Sequence, residues 1–332
     1  MYQYLKKLVI KGIVTAFATS TMINLINPLT SINAQEPIEI GVLQYVEHES
    51  LNQNYQGFLN GLKEAGYVEG ENLQINFLNA SGDTANLQTM SENVVNGSDY
   101  IFAIATPAAQ AIANVEKEKP IFISSVSDPV SAGLVKSTEN PETNVTGNLT
   151  GTMDAGPLRE QVSLIKEVAP QAKKVGILYN SGEANAVSEA EIAREILEAT
   201  DYEVSEATIT STNDISQVMG NLVNEVEVVF IVTDNTIASA MSLVGDLATD
   251  ANIPLVGGSK DMVLENGLIT YGLDYYKLGE QTAEMLVRMI EEDLQVGEMA
   301  LEKPRDLELV INEKNAEKLG IDPDSIQDPS AN

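Results

Sequence analysis

The chain of 332 residues contains no cysteine and a single histidine, His48. Without cysteine there is no disulfide, no thiol nucleophile and no N-terminal cysteine to carry a lipid. One histidine removes most transition-metal sites and makes any Ser-His-Asp triad depend on that residue. Basic residues are scarce: 19 Lys and Arg stand against 49 Asp and Glu, a formal charge of −30. Such a surface repels phosphate backbones, which excludes nucleic acid as a partner. Glycine-rich phosphate loops of Walker or dinucleotide type are missing, and so is a nucleophile elbow. The stretch from Asp322 to Asp328 lacks the glycine and spacing of a calcium loop. The usual catalytic constellations thus lack members, and no enzyme activity, cofactor or metal is expected.

What is present begins with a distinct N-terminus. Lys6, Lys7 and Lys11 precede the uncharged, mostly apolar "GIVTAFATSTMINLINPL", and "SINAQEP" follows. This is the n-region, h-region and small-residue exit of a secretory signal, residues 1–34, with cleavage after Ala34. Its removal takes the charge from −30 to −33, because three lysines and no acid precede Glu36. The alternative is an uncleaved anchor, although the Thr, Ser and Asn within the stretch make a poor permanent span. The expected location is outside the cytoplasm, in the periplasm or at the outer face of the membrane.

From Pro37 onward short apolar runs alternate with longer amphipathic stretches. Strands are expected at 38–46, 72–80, 100–105, 120–126, 174–180, 202–209, 226–232, 253–257 and 267–273. Helical patterns lie between most of them, at 51–65, 84–95, 184–199 and 277–290. Alternation of this kind means α/β architecture with parallel sheets covered on both faces. A coarse repeat is also visible: "IEIGVLQ" matches "KKVGILYN", "DYIFAIATPA" matches "VEVVFIVTDN", and "KPIFIS" matches "NIPLVG". Two similar halves imply two lobes with a cleft between them, with hinges expected at Asn148–Gly151 and Tyr271–Asp274.

In open parallel sheets the ligand sits at the carboxyl ends of the strands. Small polar residues collect there in both halves: "QYVEH", "ATPAA", "SVSDP", "YNSGEAN" and "VTDNT". Thr106 is expected at an N-cap with Pro107 in the first turn, so the N–H groups near Ala108 form an anion seat. Asp234, at the equivalent end in the second half, is a carboxylate suited to an ammonium. An anion seat on one lobe and a cation seat on the other fit an α-amino acid. Singly, Thr106, Ser127 and Asp234 read more readily as helix caps; the set is stronger than its members. Tyr45 and His48 would line an aromatic side-chain pocket, or be plain surface residues. "YNSGEAN" is either a polar clasp or a helix capped at Ser181.

The segments "GVLQYVEHESL", "GFLNGLKEAGYVEGENLQI", "ATPAAQA", "SVSDPVSAGLV", "NVTG", "LYNSGEANA", "VTDNTIASA" and "GLDYYKLGEQTAEM" run from about residue 38 to 320. Together they resemble the ABC-transporter substrate-binding proteins of the tryptophan/tyrosine type. The resemblance implies a two-lobed, type I periplasmic-binding fold, each lobe a parallel sheet flanked by helices. Lobe 1 would comprise 37–150 plus about 272–303, and lobe 2 would comprise 151–271 plus about 304–326. It further implies a monomer that captures an amino acid, aromatic in kind, and delivers it to an ABC permease and its ATPase. A sensor or accessory receptor with the same ligand is the alternative. By analogy within the fold, Thr106 and Ala108 with Ser127 would hold the carboxylate, and Asp128 is expected among the ligand-binding residues. Asp234 would hold the ammonium, Gln44, Tyr45 and His48 would face the side chain, and Asn180, Glu183, Asn185 and Asn235 would close from the second lobe.

Intact-mass measurement on protein from its native host is expected to give a chain starting near Gln35. A full-length mass in the membrane fraction would favour the anchor instead.

Overall fold

The computed structural model describes residues 37–138 and 147–331, so the expected leader lies outside the described residues. The first half runs β1 (Ile38–Gln44), α1 (Glu49–Glu64), β2 (Leu73–Asn79), α2 (Thr84–Val95), β3 (Tyr100–Ile104), α3 (Thr106–Val115), β4 (Ile121–Val126) and β5 (Leu149–Met153). The second runs α4 (Leu158–Val168), β6 (Lys174–Asn180), α5 (Ala184–Ala199), β7 (Glu203–Ile209), α6 (Ile215–Leu222), β8 (Val228–Ile231), α7 (Asn235–Ala238), α8 (Met241–Asp250), β9 (Leu255–Gly257), α9 (Lys260–Glu265) and β10 (Ile269–Leu273). The chain closes with α10 (Tyr275–Glu291), β11 (Leu307–Ile311) and α11 (Glu313–Lys318).

Two sheets result, ordered β2-β1-β3-β4-β5 and β11-β10-β9-β8-β6-β7. Every paired strand is parallel to its neighbour except β11, which runs antiparallel to β10. Central strands are buried along their whole length, as sheets covered on both faces require. Along β8, Val228 and Phe230 enter one apolar core while Val229 and Ile231 enter the core on the opposite face. The repeat has a packing reason at its glycines. A Cβ on Gly41 of β1 would meet Val94 of α2 at 2.5 Å, and one on Gly176 of β6 would meet Leu222 of α6 at 2.9 Å. Each half needs a bare backbone where its helix lies on its first strand.

Two strands escaped the reading of the sequence. The stretch Asn148–Gly151, expected as a hinge, instead opens β5, which pairs with β4 and ends at Met153. Its "LTGTM" lacks an apolar run because it packs by close approach: a Cβ on Gly151, at φ 135°, would lie 2.0 Å from the Ile123 carbonyl oxygen. The chain therefore leaves the first sheet after Met153, by way of Asp154–Pro157. It returns at Asp274, between β10 and α10, inside the second expected hinge. A last crossing follows Glu302, whose backbone bridges to Gly151 and Met153 and whose carboxylate is held by Arg288 and Gln281. The other missed strand, β11, is an edge with exposed Leu307 and Glu308.

Helix α10 returns to pack on α1 at contact distance. A Cβ on Gly279 would fall 1.9 Å from the Asn54 carbonyl oxygen, and one on Gly57 1.8 Å from that of Tyr276. Backbone cannot yield as a side-chain tip can. Gly279→Ala is therefore expected to lower stability by about 1–3 kcal/mol. Gly220→Ala, in α6 with nothing within 4 Å of its Cβ, should raise it by about 0.5–1 kcal/mol. Urea unfolding of the two variants checks both signs.

Candidate functional site

Each sheet reverses its strand order once, between β1 and β3 and between β6 and β8, and these crevices face each other across the cleft. At the first, the chain turns from β3 into α3 through Ala105, at φ 79° and ψ 154°. That region is nearly exclusive to glycine and costs an alanine about 1–3 kcal/mol. The expected N-cap is displaced by one: Ala105 occupies it, and Thr106 is already the first helical residue. The first intrahelical bond runs from Ala109 N–H to Ala105 C=O, leaving the N–H groups of Thr106 and Ala108 ahead of it. The Thr106 hydroxyl is buried and has no partner.

At the end of β4, Ser125 is likewise held at positive φ, 57°, and its buried hydroxyl is unpartnered. Its neighbour Ser124 is fixed by Asn54 Nδ2 at 2.8 Å and by the Thr152 hydroxyl at 2.8 Å. Ser127, expected on the carboxylate, instead donates to Asp154 Oδ1 at 2.9 Å. Asp128 accepts the N–H groups of Val130 and Ser131 and, across the cleft, the Ser188 hydroxyl at 2.7 Å. Burial works to raise its carboxyl, but these bonds outweigh it and leave Asp128 below the ordinary range. It is a latch at the rim.

In the second lobe, Asp234 caps α7: Oδ1 accepts Ile237 N–H at 2.8 Å and Oδ2 accepts Asn180 N–H at 2.5 Å. Burial, then the charge of Glu183, pushes its carboxyl well up. Glu183 wraps the same turn, accepting from Asn235 and Thr236 through both oxygens. Asn180 joins it through Thr236 Oγ1 at 2.7 Å. "YNSGEAN" is thus a clasp, but one that holds α7 in place. Helix α5 starts at Ala184, not at Ser181.

Between the lobes lies a small cavity of about 10 Å³, lined by His48, Ser125, Asp154, Asn185, Asp234 and Tyr275 among others. That is room for one water, so a larger ligand fits only where the lobes part to its width. Hydrogen bonds cross around it: His48 Nε2 to Asn235 Oδ1 at 3.2 Å and the Ser50 hydroxyl to that of Ser259 at 2.8 Å. Burial, opposed by the Asn235 bond, lowers the His48 pKa to about 4. The ring is neutral, and its Nδ1 is a buried acceptor without a partner. Asn185 donates to the Thr233 carbonyl and leaves its Oδ1 equally free.

Tyr45 and His48 are separated. Tyr45 lines an outer groove of about 460 Å³ with Leu87, Gln88, Pro107, Gln110 and Gly182, its phenol pushed up to about 12 by burial and by Glu183. Gln44 is tied to Val46 and Asn52 through Nε2, with Oε1 buried and unpartnered. Reading the sequence missed Ser125, Asp154, Glu189 and Tyr275. Asp154 went unnoticed because β5 did, and Glu189 because a glutamate in an amphipathic helix reads as solvated.

The two facing crevices and the cleft between them define a two-lobed solute receptor of the periplasmic-binding type. Residues 39–328 match the family model described as ABC transporter substrate binding protein, and the chain belongs to that family. A tyrosine-binding protein of Clostridioides difficile is 34% identical over 299 residues, 90% of this chain and 85% of its own. The structure of an ABC domain in complex with L-Trp from Streptococcus pneumoniae matches with TM-score 0.81 at 34% identity, covering 86% and 96% of the two chains. A ligand-free, open substrate-binding protein with adhesive properties from Clostridium difficile matches at 0.66, with 36% identity and 86% and 95% coverage.

Asp234→Ala is expected to cost about 2 kcal/mol of stability, from the lost cap and the orphaned Asn180 N–H. Chemical denaturation without ligand measures it; an unchanged midpoint would contradict the structural role.

Proposed function

We propose that this chain is the extracytoplasmic receptor of an ABC importer, taking up tyrosine or tryptophan and passing it as a monomer to a permease and its ATPase. One observation carries the ligand class: buried polar atoms without partners converge on the cleft from both lobes. Ser125, His48 Nδ1 and Asn185 Oδ1 line the interlobe cavity, and the Thr106 hydroxyl at the start of α3 is likewise buried without a partner. The seat ahead of Ala109, two N–H groups and the Thr106 hydroxyl, suits a carboxylate at a helix N-terminus. Ser125 takes the place given to Ser127 in the sequence. The remaining atoms are acceptors and stand near Asp154 and Asp234, which suits an ammonium. The relatives that bind tyrosine and L-Trp support an aromatic side chain. Export is supported by the leader read in the sequence; among the described residues no helix is long and apolar enough to cross a membrane.

Calorimetric titration with L-tyrosine and L-tryptophan is expected to show saturable binding to one of them at least. Thr106→Ala should weaken it by about 1 kcal/mol, roughly fivefold, since the backbone donors remain. Failure of both amino acids to bind would overturn the reading.

A further inference from the structure

Tyr45, expected to face the ligand, instead meets Gly182 at the outer groove of about 460 Å³. This groove shares no lining residue with the interlobe cavity. Its long walls are two helix faces. Thr84, Leu87, Gln88 and Ser91 of α2 recur at helical spacing, and so do Pro107, Gln110, Ala111 and Asn114 of α3. Most of these residues are small or polar, so the helices do not interlock there and a gap stays between them. Its apolar surface comes from Leu87, Pro107 and Ala111. The Ser91 hydroxyl is spent on the Gln88 carbonyl at 2.8 Å. Other polar groups are unused: among the described residues, the side chains of Thr84, Gln88 and Asn114 make no hydrogen bond. Gln110 donates to the Ala132 carbonyl at 2.9 Å and keeps its Oε1 as an acceptor.

No charged residue is among those that line the groove, although 20% of the chain is charged. The acids that act on Tyr45 are Glu183, Asp234 and Asp83, and each already holds N–H groups at a helix start. They repel an anion, and they offer a cation no free carboxylate. We propose that the groove is a second binding site, for a small uncharged molecule with an apolar body and an amide or hydroxyl group. Its volume lies in the range of small-molecule pockets. The walls belong to the first lobe, and only Gly182, in the turn from β6 to α5, comes from the second. An occupant therefore meets its full set of contacts only with the lobes together. Ligands in the groove and in the cleft favour the same closed state, so each raises the other's affinity by one common factor. That coupling rests on the amino-acid reading above; the site itself does not.

The test uses benzamide, benzoate and benzamidine, which share one shape and differ in charge at neutral pH. Each is titrated by protein NMR with the cleft saturated by L-tyrosine or L-tryptophan. Benzamide is expected to bind with a dissociation constant of about 1 mM. The two ions should bind at least about tenfold more weakly, since neither finds a counter-charge. Benzamide should shift the backbone amide signals of Gln88 and Gln110 and leave those of His48 and Asn185 in place. Ala111→Leu, which fills the groove, should lose benzamide and keep the amino acid. In calorimetry, saturating benzamide should tighten the amino acid by about threefold, and the amino acid should tighten benzamide equally. Equal binding of all three compounds, no benzamide binding in the millimolar range, or shifts confined to the interlobe cavity overturns the site. So does benzamide binding that survives in Ala111→Leu; should that variant fail to fold, the shifts in the unmodified protein decide. An amino-acid affinity unchanged by benzamide overturns the coupling. Failure of both amino acids to bind would instead strike the amino-acid reading, and benzamide titration of the ligand-free protein would still decide the groove.

Discussion

The hydrogen bond from the Tyr275 hydroxyl to Asp154 joins two of the three places where the chain passes between its sheets. Asp154 sits just after β5 on the outward crossing, and Tyr275 opens α10 on the return. Both are buried, and a buried carboxylate needs donors around it to persist. Ser127 supplies another, so the end of β4 is drawn to the same point. With the crossings tied together, the carboxyl edges of both sheets are brought face to face, and the cleft lies between them.

A second buried chain extends this order into the first lobe. Asn54 of α1, Ser124 of β4, Thr152 of β5 and Thr282 of α10 are linked side chain to side chain at 2.7–2.8 Å. The close crossing of α1 and α10 at Gly57 and Gly279 makes that reach possible. Strain is held against this frame: Ala105 and Ser125, at adjacent strand ends, both adopt positive φ and turn their segments toward the cleft. Such conformations persist only where the surroundings over-determine them. Rigidity in the frame and strain at the rim belong to one design.

The second lobe uses its polar residues differently. Asp234, Glu183, Asn180 and Asn235 form a closed set around the first turn of α7, and only Asn235 reaches across, to His48. Asp128 spends its carboxylate on its own turn and on Ser188 of the other lobe. Residues of the type that bind ligands thus serve here to shape and latch the walls. Buried side chains that keep an unpartnered atom include Thr106, Ser125, His48, Asn185, Gln44 and Glu189.

Much of this protein was legible in its residues. Alternating apolar runs and amphipathic stretches dictate parallel α/β sheets, because period and burial are local properties of a segment. The matched halves dictated two such sheets, and the polar strand ends placed the cleft, since ligands collect where strand order reverses. The two missed strands show the limit: β5 is held by a glycine's close approach, and β11 is an edge exposed to solvent. Which polar side chain stays free could not be read, because a hydroxyl or carboxylate is committed by whichever donor packing brings within about 3 Å. That is why Ser127 is committed to Asp154 while the Ser125 hydroxyl keeps no partner, and why Glu189 emerged as buried. Sequence determined the crevices; only tertiary contact decided which groups in them remain available.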